Sequence, residues 1–216
     1  MIYKVDFHCH TSFSRDSLTS PADLLRVSHR KGLGRVIITD HNTIAGALIA
    51  QRIDPELIIV GEEIKTTQGE ILAVFVTQEI PRDLTPRETI KRLRDQGAFI
   101  SVSHPFDIRS GAWTLENLLE IAPLVDAIEI FNARCLKRGA NQEALIFAQE
   151  HKLPGTAGSD AHAVFELGAA YVELSQFDNT NELHNVIGHG NIRGRLSPFW
   201  VHFVSRYARM RKEVAV

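Results

Sequence analysis

Lys4-Val5-Asp6-Phe7-His8-Cys9-His10 ends in two histidines one residue apart. Alternate side chains of an extended segment face the same side, so His8 and His10 point together while Cys9 points away. The stretch predicts a strand over 4–8 that presents two imidazoles at its C-terminal end. The arrangement recurs downstream. Arg35 to Thr39 runs into Asp40-His41, and Leu57 to Val60 into Gly61-Glu62-Glu63. Ala98 to Val102 runs into Ser103-His104-Pro105, and Gly155 to Gly158 into Ser159-Asp160-Ala161-His162. Five of the ten histidines therefore fall within a few residues of a strand's C-terminal end.

Helical signals separate these strands. Ser20-Pro21-Ala22-Asp23 offers a capping Ser, a Pro at the first helical position and an acid in the first turn, with a stop near Gly32. Thr85-Pro86-Arg87-Glu88 is a capping box that opens a helix closing at Gly97. Further helices are expected over 114–121, 140–151 and 180–186, and further strands over 71–76, 127–131 and 169–174. Ser197-Pro198 caps a last helix, expected over about 198–213. Repeated alternation of this kind predicts an α/β fold with a mostly parallel sheet, open or closed. Only a closed, TIM-like barrel brings nearly all strand ends to one centre, and the histidines at those ends decide for it. No linker or repeat divides the chain, so residues 1–216 are expected to form a single barrel domain.

Composition narrows the function. The chain has 216 residues, 24 Lys plus Arg against 26 Asp plus Glu, and a formal net charge of −2. That balance excludes a protein built mainly to coat nucleic acid or an acidic membrane. Cys9 and Cys135 make no disulfide framework and no C-x-x-C pair, and no apolar run approaches a membrane span. A cytoplasmic location with no membrane partner is expected. Phosphate-loop, nucleophile-elbow and H-E-x-x-H motifs are absent, and Gly32-Leu33-Gly34 follows a helix rather than a strand, so it is a helix stop.

His nitrogen and carboxylate oxygen together are the donors of Zn, Mn or Fe hydrolytic centres rather than of all-oxygen Ca or Mg sites. In His8-x-His10 and Asp160-x-His162, two such clips from different strands form a pincer for metal. These motifs carry a resemblance. His8-x-His10 followed by Asp16, Thr39-Asp40-His41-Asn42, Gly61-x-Glu63, Ser103-His104-Pro105 and Gly158-Ser159-Asp160-Ala161-His162 resemble, in order, the motifs of the PHP (polymerase and histidinol phosphatase) family. The resemblance implies a distorted (β/α)7 barrel with two or three divalent transition metals in its mouth. It implies His8, His10, Asp16, His41, Glu63, His104, Asp160 and His162 as ligands. Many members supply a further His or Cys between the last two motifs. Here Cys135 is the one thiol near that slot, and a ligand and a buried thiol both remain open readings.

The implied activity is metal-dependent hydrolysis of phosphate esters by a metal-bound hydroxide, acting on a nucleotide, an oligonucleotide end or a small phosphorylated metabolite. Charge supports it: two or three divalent ions outweigh the three ligand carboxylates, so the site would attract an anion. Arg134 is the first candidate to grip the phosphate through its planar fork, with Asn132 orienting a hydroxyl or phosphate oxygen. Arg15, Arg109 and Arg195 are weaker candidates. An amidohydrolase or TatD-like hydrolase, which also begins with H-x-H on a barrel strand, is the alternative, and a catalytically idle metal-binding module is the third. Trp200, Phe203, Val204 and Tyr207 at helical spacing are expected to pack the last helix on the barrel. Its cations would then lie at the negative end of the helix dipole.

Overall fold

The computed structural model describes residues 1–108 and 113–214. Nine strands form one sheet: β1 (Ile2–Cys9), β2 (Arg35–Ile38), β3 (Ile58–Lys65), β4 (Glu70–Val74), β5 (Phe99–Val102), β6 (Ala127–Asn132), β7 (Gly155–Gly158), β8 (Ala170–Ser175) and β9 (Asn191–Gly194). Their order is β7-β6-β5-β4-β3-β2-β1-β8-β9. The helices are α1 (Pro21–Lys31), α2 (Ala45–Ile53), α3 (Pro86–Asp95), α4 (Leu115–Ile121), α5 (Ala140–Glu150), α6 (Thr180–Ile187) and α7 (Val201–Val214). The caps read from the sequence are present: Ser20 and Thr85 accept from the backbone of Asp23 and Glu88, and Gly32 ends α1 in the left-handed conformation.

The expectation of a mostly parallel sheet is corrected. Four of the strand pairs are parallel and four antiparallel. The cause lies in two connections. Residues 66–69 are too few for a crossover helix, so β4 returns beside β3 as a hairpin, closed by Thr66 Oγ1 donating to Gly69 O at 2.7 Å. Strand β8 then pairs antiparallel with the N-terminal half of β1, from Ile2 opposite Ser175 to Val5 opposite Val172. Only the upper half of β1 remains to close the barrel. There Asp160 N donates to His8 O at 2.7 Å and His10 N to Ala161 O at 2.8 Å. This close approach requires Gly158, because a Cβ at that position would stand 2.2 Å from His8 Cβ. Asp6 reinforces the seam, accepting from Ser159 N, Ser159 Oγ and Gly168 N at 2.5–2.9 Å. The result is a distorted, nearly closed barrel.

Two apolar clusters support it. One joins Phe7, Ile37, Ile59 and Phe99 to Val172 of β8 and Leu183 of α6. The other packs Leu24, Ala47, Leu93 and Phe147 of the helices against Ile38 and Ile128 of the sheet. Among the described residues, no helix is long and apolar enough to cross a membrane.

The last helix also departs from expectation. It begins at Val201, three residues after Pro198, once the chain has turned through bonds from Val201 N to Pro198 O and Phe203 N to Trp200 O. It docks through Val201, Ser205 and Ala208, not through the aromatic stripe. Trp200, Phe203 and Tyr207 are 50%, 57% and 56% exposed. Polar ties select this face: Arg134 Nη2 donates to Val201 O (3.1 Å) and Ser205 Oγ (2.7 Å), and Lys212 Nζ to the carbonyls of Ser12 and Ser14.

Candidate metal centre

The C-terminal strand ends and the inner flank of α7 enclose a cavity of about 740 Å³. Asp16, His41, Glu63, His104, Asp160 and His162 line it, and His8 and His10 are fully buried beside them. Glu63 is the hub. Its Oε2 lies 3.3 Å from His8 Nε2, 3.4 Å from His10 Nε2 and 2.9 Å from His41 Nδ1, while Oε1 lies 3.1 Å from His104 Nε2. Asp160 Oδ1 stands 3.4 Å from His10 Nε2, and Asp16 Oδ1 stands 3.3 Å from His162 Nε2 and 3.6 Å from His41 Nε2. The eight residues named as ligands on the strength of the resemblance are thus one contiguous cluster. Asp160 reaches it from a left-handed backbone (φ 51°), a conformation Asp tolerates better than most residues.

The atoms converge as donors around a cation would. Three groups of described residues each bring one ligand atom per residue within 4.8 Å of one another: His8, His10 and Glu63; His10, His41 and His162; His41, Glu63 and Glu70. Among the described residues, Asp16 Oδ1 and Glu63 Oε2 are buried and accept no hydrogen bond, although imidazole nitrogens face both. Buried oxygens of this kind are costly unless something positive meets them. The residues therefore fit divalent metal.

The electrostatics of the cluster agree. Burial alone would favour neutral His8 and His41, yet the facing carboxylates, Glu63 first, hold both well above the usual imidazole value. Burial and the neighbouring His162 and His41 push His10 well below it. Burial opposes the charge on Glu63, but His8 and His41 overcome it and hold the carboxyl well below the usual range. The carboxylates attract positive charge into the cluster, while His10, crowded by His162 and His41, resists taking up a proton.

Several supporting residues were invisible in the sequence. Glu129, in the middle of β6, stands 3.0 Å from His8 Nδ1 and accepts from His104 N (2.8 Å) and Asn132 Nδ2 (3.1 Å). An acid between Ile128 and Ile130 of a buried strand was the available signal. Ser14 Oγ stands 3.0 Å from His10 Nδ1 and donates to Asp40. Glu70, at the start of β4, lies 3.5 Å from His104 Nε2. Glu166 accepts from the backbone of His162 and Ala163 and pairs with Arg134.

The substrate candidates are engaged. Arg134 is 2% exposed, with Nε 3.2 Å from Glu166 and its Nη groups on Ser205, Val201 O and Asp160 O. Asn132 donates to Glu129 and Asp160 and accepts from Arg134 N. Cys135 Sγ donates to Asn141 Oδ1 at 3.3 Å and belongs to none of the three donor groups. Arg15 lines the cavity, beside Arg206 and Arg209 of α7. Arg195 is not among the described lining residues, and Arg109 lies outside the described residues.

The family model described as PHP-associated matches residues 138–192. The uncharacterized protein MJ0417 of Methanocaldococcus jannaschii is 36% identical over 179 residues, which is 81% of this chain and 72% of that protein. A two-domain protein of Bacteroides vulgatus ATCC 8482, containing a predicted PHP-like metal-dependent phosphoesterase, superposes with a TM-score of 0.71 at 18% identity, over 90% of this chain and 65% of that one. The lesion-specific endonuclease PfuEndoQ of Pyrococcus furiosus superposes with a TM-score of 0.62 at 16% identity, over 89% of this chain and 57% of that one. This chain spans less than two thirds of either solved protein, and what it shares with them is the fold. The order of the motifs, the barrel that gathers them and a relative matched along most of both chains agree: the chain belongs to the PHP family.

Proposed function

We propose that this protein is a metal-dependent phosphoesterase, hydrolysing the phosphate ester of a nucleotide, an oligonucleotide end or a small phosphorylated metabolite. One observation carries the reading: a nest of imidazoles and unsatisfied carboxylate oxygens opens into a cavity walled by cations. His8, His10, Asp16, His41, Glu63, His104, Asp160 and His162 would hold two or three ions of Zn, Mn or Fe, with Glu70 a further donor. Bound there, such ions supply positive charge for phosphoryl oxygens and lower the pKa of water.

The chain's own residues do the rest. Glu129 and Ser14 orient His8 and His10 from behind, fixing which ring nitrogen faces the cavity. Asn132 braces Asp160, and Glu166 holds the backbone at His162. Arg134 contributes charge from the wall, where Glu166, Ser205 and Val201 hold it, while Arg15 and Arg206 present cations to an entering ester. Phosphoryl transfer depends on such positioning and electrostatics more than on a side-chain base.

The test is phosphate release by protein reconstituted with Zn, Mn or Fe, assayed on p-nitrophenyl phosphate, mononucleotides, short oligonucleotides and sugar phosphates beside a cyclic amide. Metal-dependent phosphate release is expected. Turnover of the amide alone would replace this reading with an amidohydrolase, and no turnover of any substrate by metal-loaded protein would leave a binding module.

A further inference from the structure

Seven of the eight proposed ligands are placed by the sheet. His8 and Glu63 lie within β1 and β3, and the backbone at His41 bridges to that of Glu63. His10, His104, Asp160 and His162 follow β1, β5 and β7 by at most four residues. Asp16 is the exception. It sits in the loop between β1 and α1, yet it is buried, and its Oδ1 stands where His41 and His162 converge. A loop residue lacks the ladder of hydrogen bonds that fixes a strand end, so something else must hold it there.

The last helix reaches this loop at two points. Arg209 Nη2 donates to Asp16 Oδ2 at 3.2 Å, and Lys212 Nζ donates to Ser12 O at 2.5 Å and Ser14 O at 2.6 Å. Residues three apart on a helix share a face, and the same flank of α7 turns His202, Arg206 and Glu213 to the cavity. The two cations divide the task. Lys212 grips the backbone just before Asp16, and Arg209 takes Oδ2. That leaves Oδ1, which accepts no hydrogen bond among the described residues, to His41 Nε2 and His162 Nε2. The base of the loop has its own anchor, since the Thr11 and Ser14 hydroxyls donate to Asp40 at 2.5 and 2.7 Å. His10, oriented by Ser14, therefore does not depend on α7 alone.

Given the metal centre of the proposed phosphoesterase, on which this rests, we infer that Arg209 and Lys212 are positioning residues for Asp16. An ion held by Asp16, His41 and His162 then depends on the seating of α7, whereas an ion held by His8, His10 and Glu63 does not. The helix thereby joins one wall of the cavity to one ion of the centre.

The test is competition of the full chain with a chromogenic chelator for Zn, which ranks the bound ions by affinity. Lys212→Met and Arg209→Met should each weaken one ion about tenfold and leave the others within about twofold. Tenfold is the lower end for losing a group that orients a metal ligand, and it applies because both side chains are partly exposed. Lys212→Arg and Arg209→Lys should recover most of the loss. In an Asp16→Ala background either Met substitution should change Zn affinity by less than about twofold, because the residue they position is gone. Urea midpoints of the metal-free variants should stay near wild type, since Val201, Ser205, Ala208 and the Arg134 bonds still seat the helix. Equal weakening of every ion, unchanged affinities, tighter binding, or a loss that persists without Asp16 would each overturn the inference while leaving the metal centre in place. A wild-type chain that binds no Zn, Mn or Fe would overturn both.

Discussion

Removing Glu129 tests whether the centre depends on the carboxylate behind its histidines. Glu129 is fully buried on β6 and meets three groups at once: His8 Nδ1 at 3.0 Å, His104 N at 2.8 Å and Asn132 Nδ2 at 3.1 Å. Glu129→Ala leaves all three without that acceptor and frees the His8 ring to turn. Loss of a carboxylate that orients a metal-binding histidine weakens metal about 10- to 100-fold, or roughly 1.4–2.7 kcal/mol. Each buried donor left unpaired adds about 1–3 kcal/mol against folding. Glu129→Gln keeps an acceptor oxygen but loses the charge, so affinities should rank wild type, Gln, Ala. Competition of each protein with a chromogenic chelator for Zn or Mn gives the affinities, and urea melts of the metal-free proteins separate lost metal from lost fold. A metal-free Glu129→Ala protein that melts like wild type and binds metal equally well would refute the reasoning.

Gly158→Ala should destabilise by about 1–3 kcal/mol and reduce bound metal, because the new methyl meets His8 Cβ at the barrel seam; urea melts with metal analysis check this. Arg134→Ala leaves Glu166 buried without its cation and should cost about 3–5 kcal/mol; adding Glu166→Gln should restore part of that in a double-mutant cycle. Glu62 lies outside the centre, accepting from Ile80 N at 3.1 Å with Oε1 unpartnered among the described residues, and burial pushes its carboxyl up to about 8. The folded protein therefore holds a proton that the unfolded chain releases above its ordinary value of 4.5. Stability should fall as pH rises from there toward 8, by roughly 3 kcal/mol at pH 7, and Glu62→Gln should flatten that slope in urea melts across the range.

What could be read from the sequence follows from where its signals are local. His8-x-His10 and Asp160-x-His162 carry their geometry in a two-residue spacing, and Ser20 and Thr85 cap helices within four residues, so strand ends, caps and barrel class were legible. Helix α2 was not read, because Ile44 at its start offers no capping side chain and Gly46 interrupts it; that glycine is needed because a Cβ would stand 2.3 Å from Asp40 Oδ2. Strand β9 is a short, exposed edge strand with no alternation to detect. The antiparallel seats of β4 and β8 depend on which strand each meets, which no local pattern encodes. Glu129 and Glu70 became visible only when distant strands came together, and the face α7 turns inward was decided by Arg134 and Lys212 rather than by its apolar stripe.

The central claim is that the barrel mouth is a metal centre, and metal content tests it most directly. Elemental analysis of the folded chain, dialysed against Zn, Mn or Fe and freed of loosely bound ions, should find two or three ions per chain. His8→Ala and Asp160→Ala should each bind fewer while keeping the wild-type circular dichroism. Folded wild-type protein that retains no transition metal, or variants that retain the full wild-type content, would contradict the account.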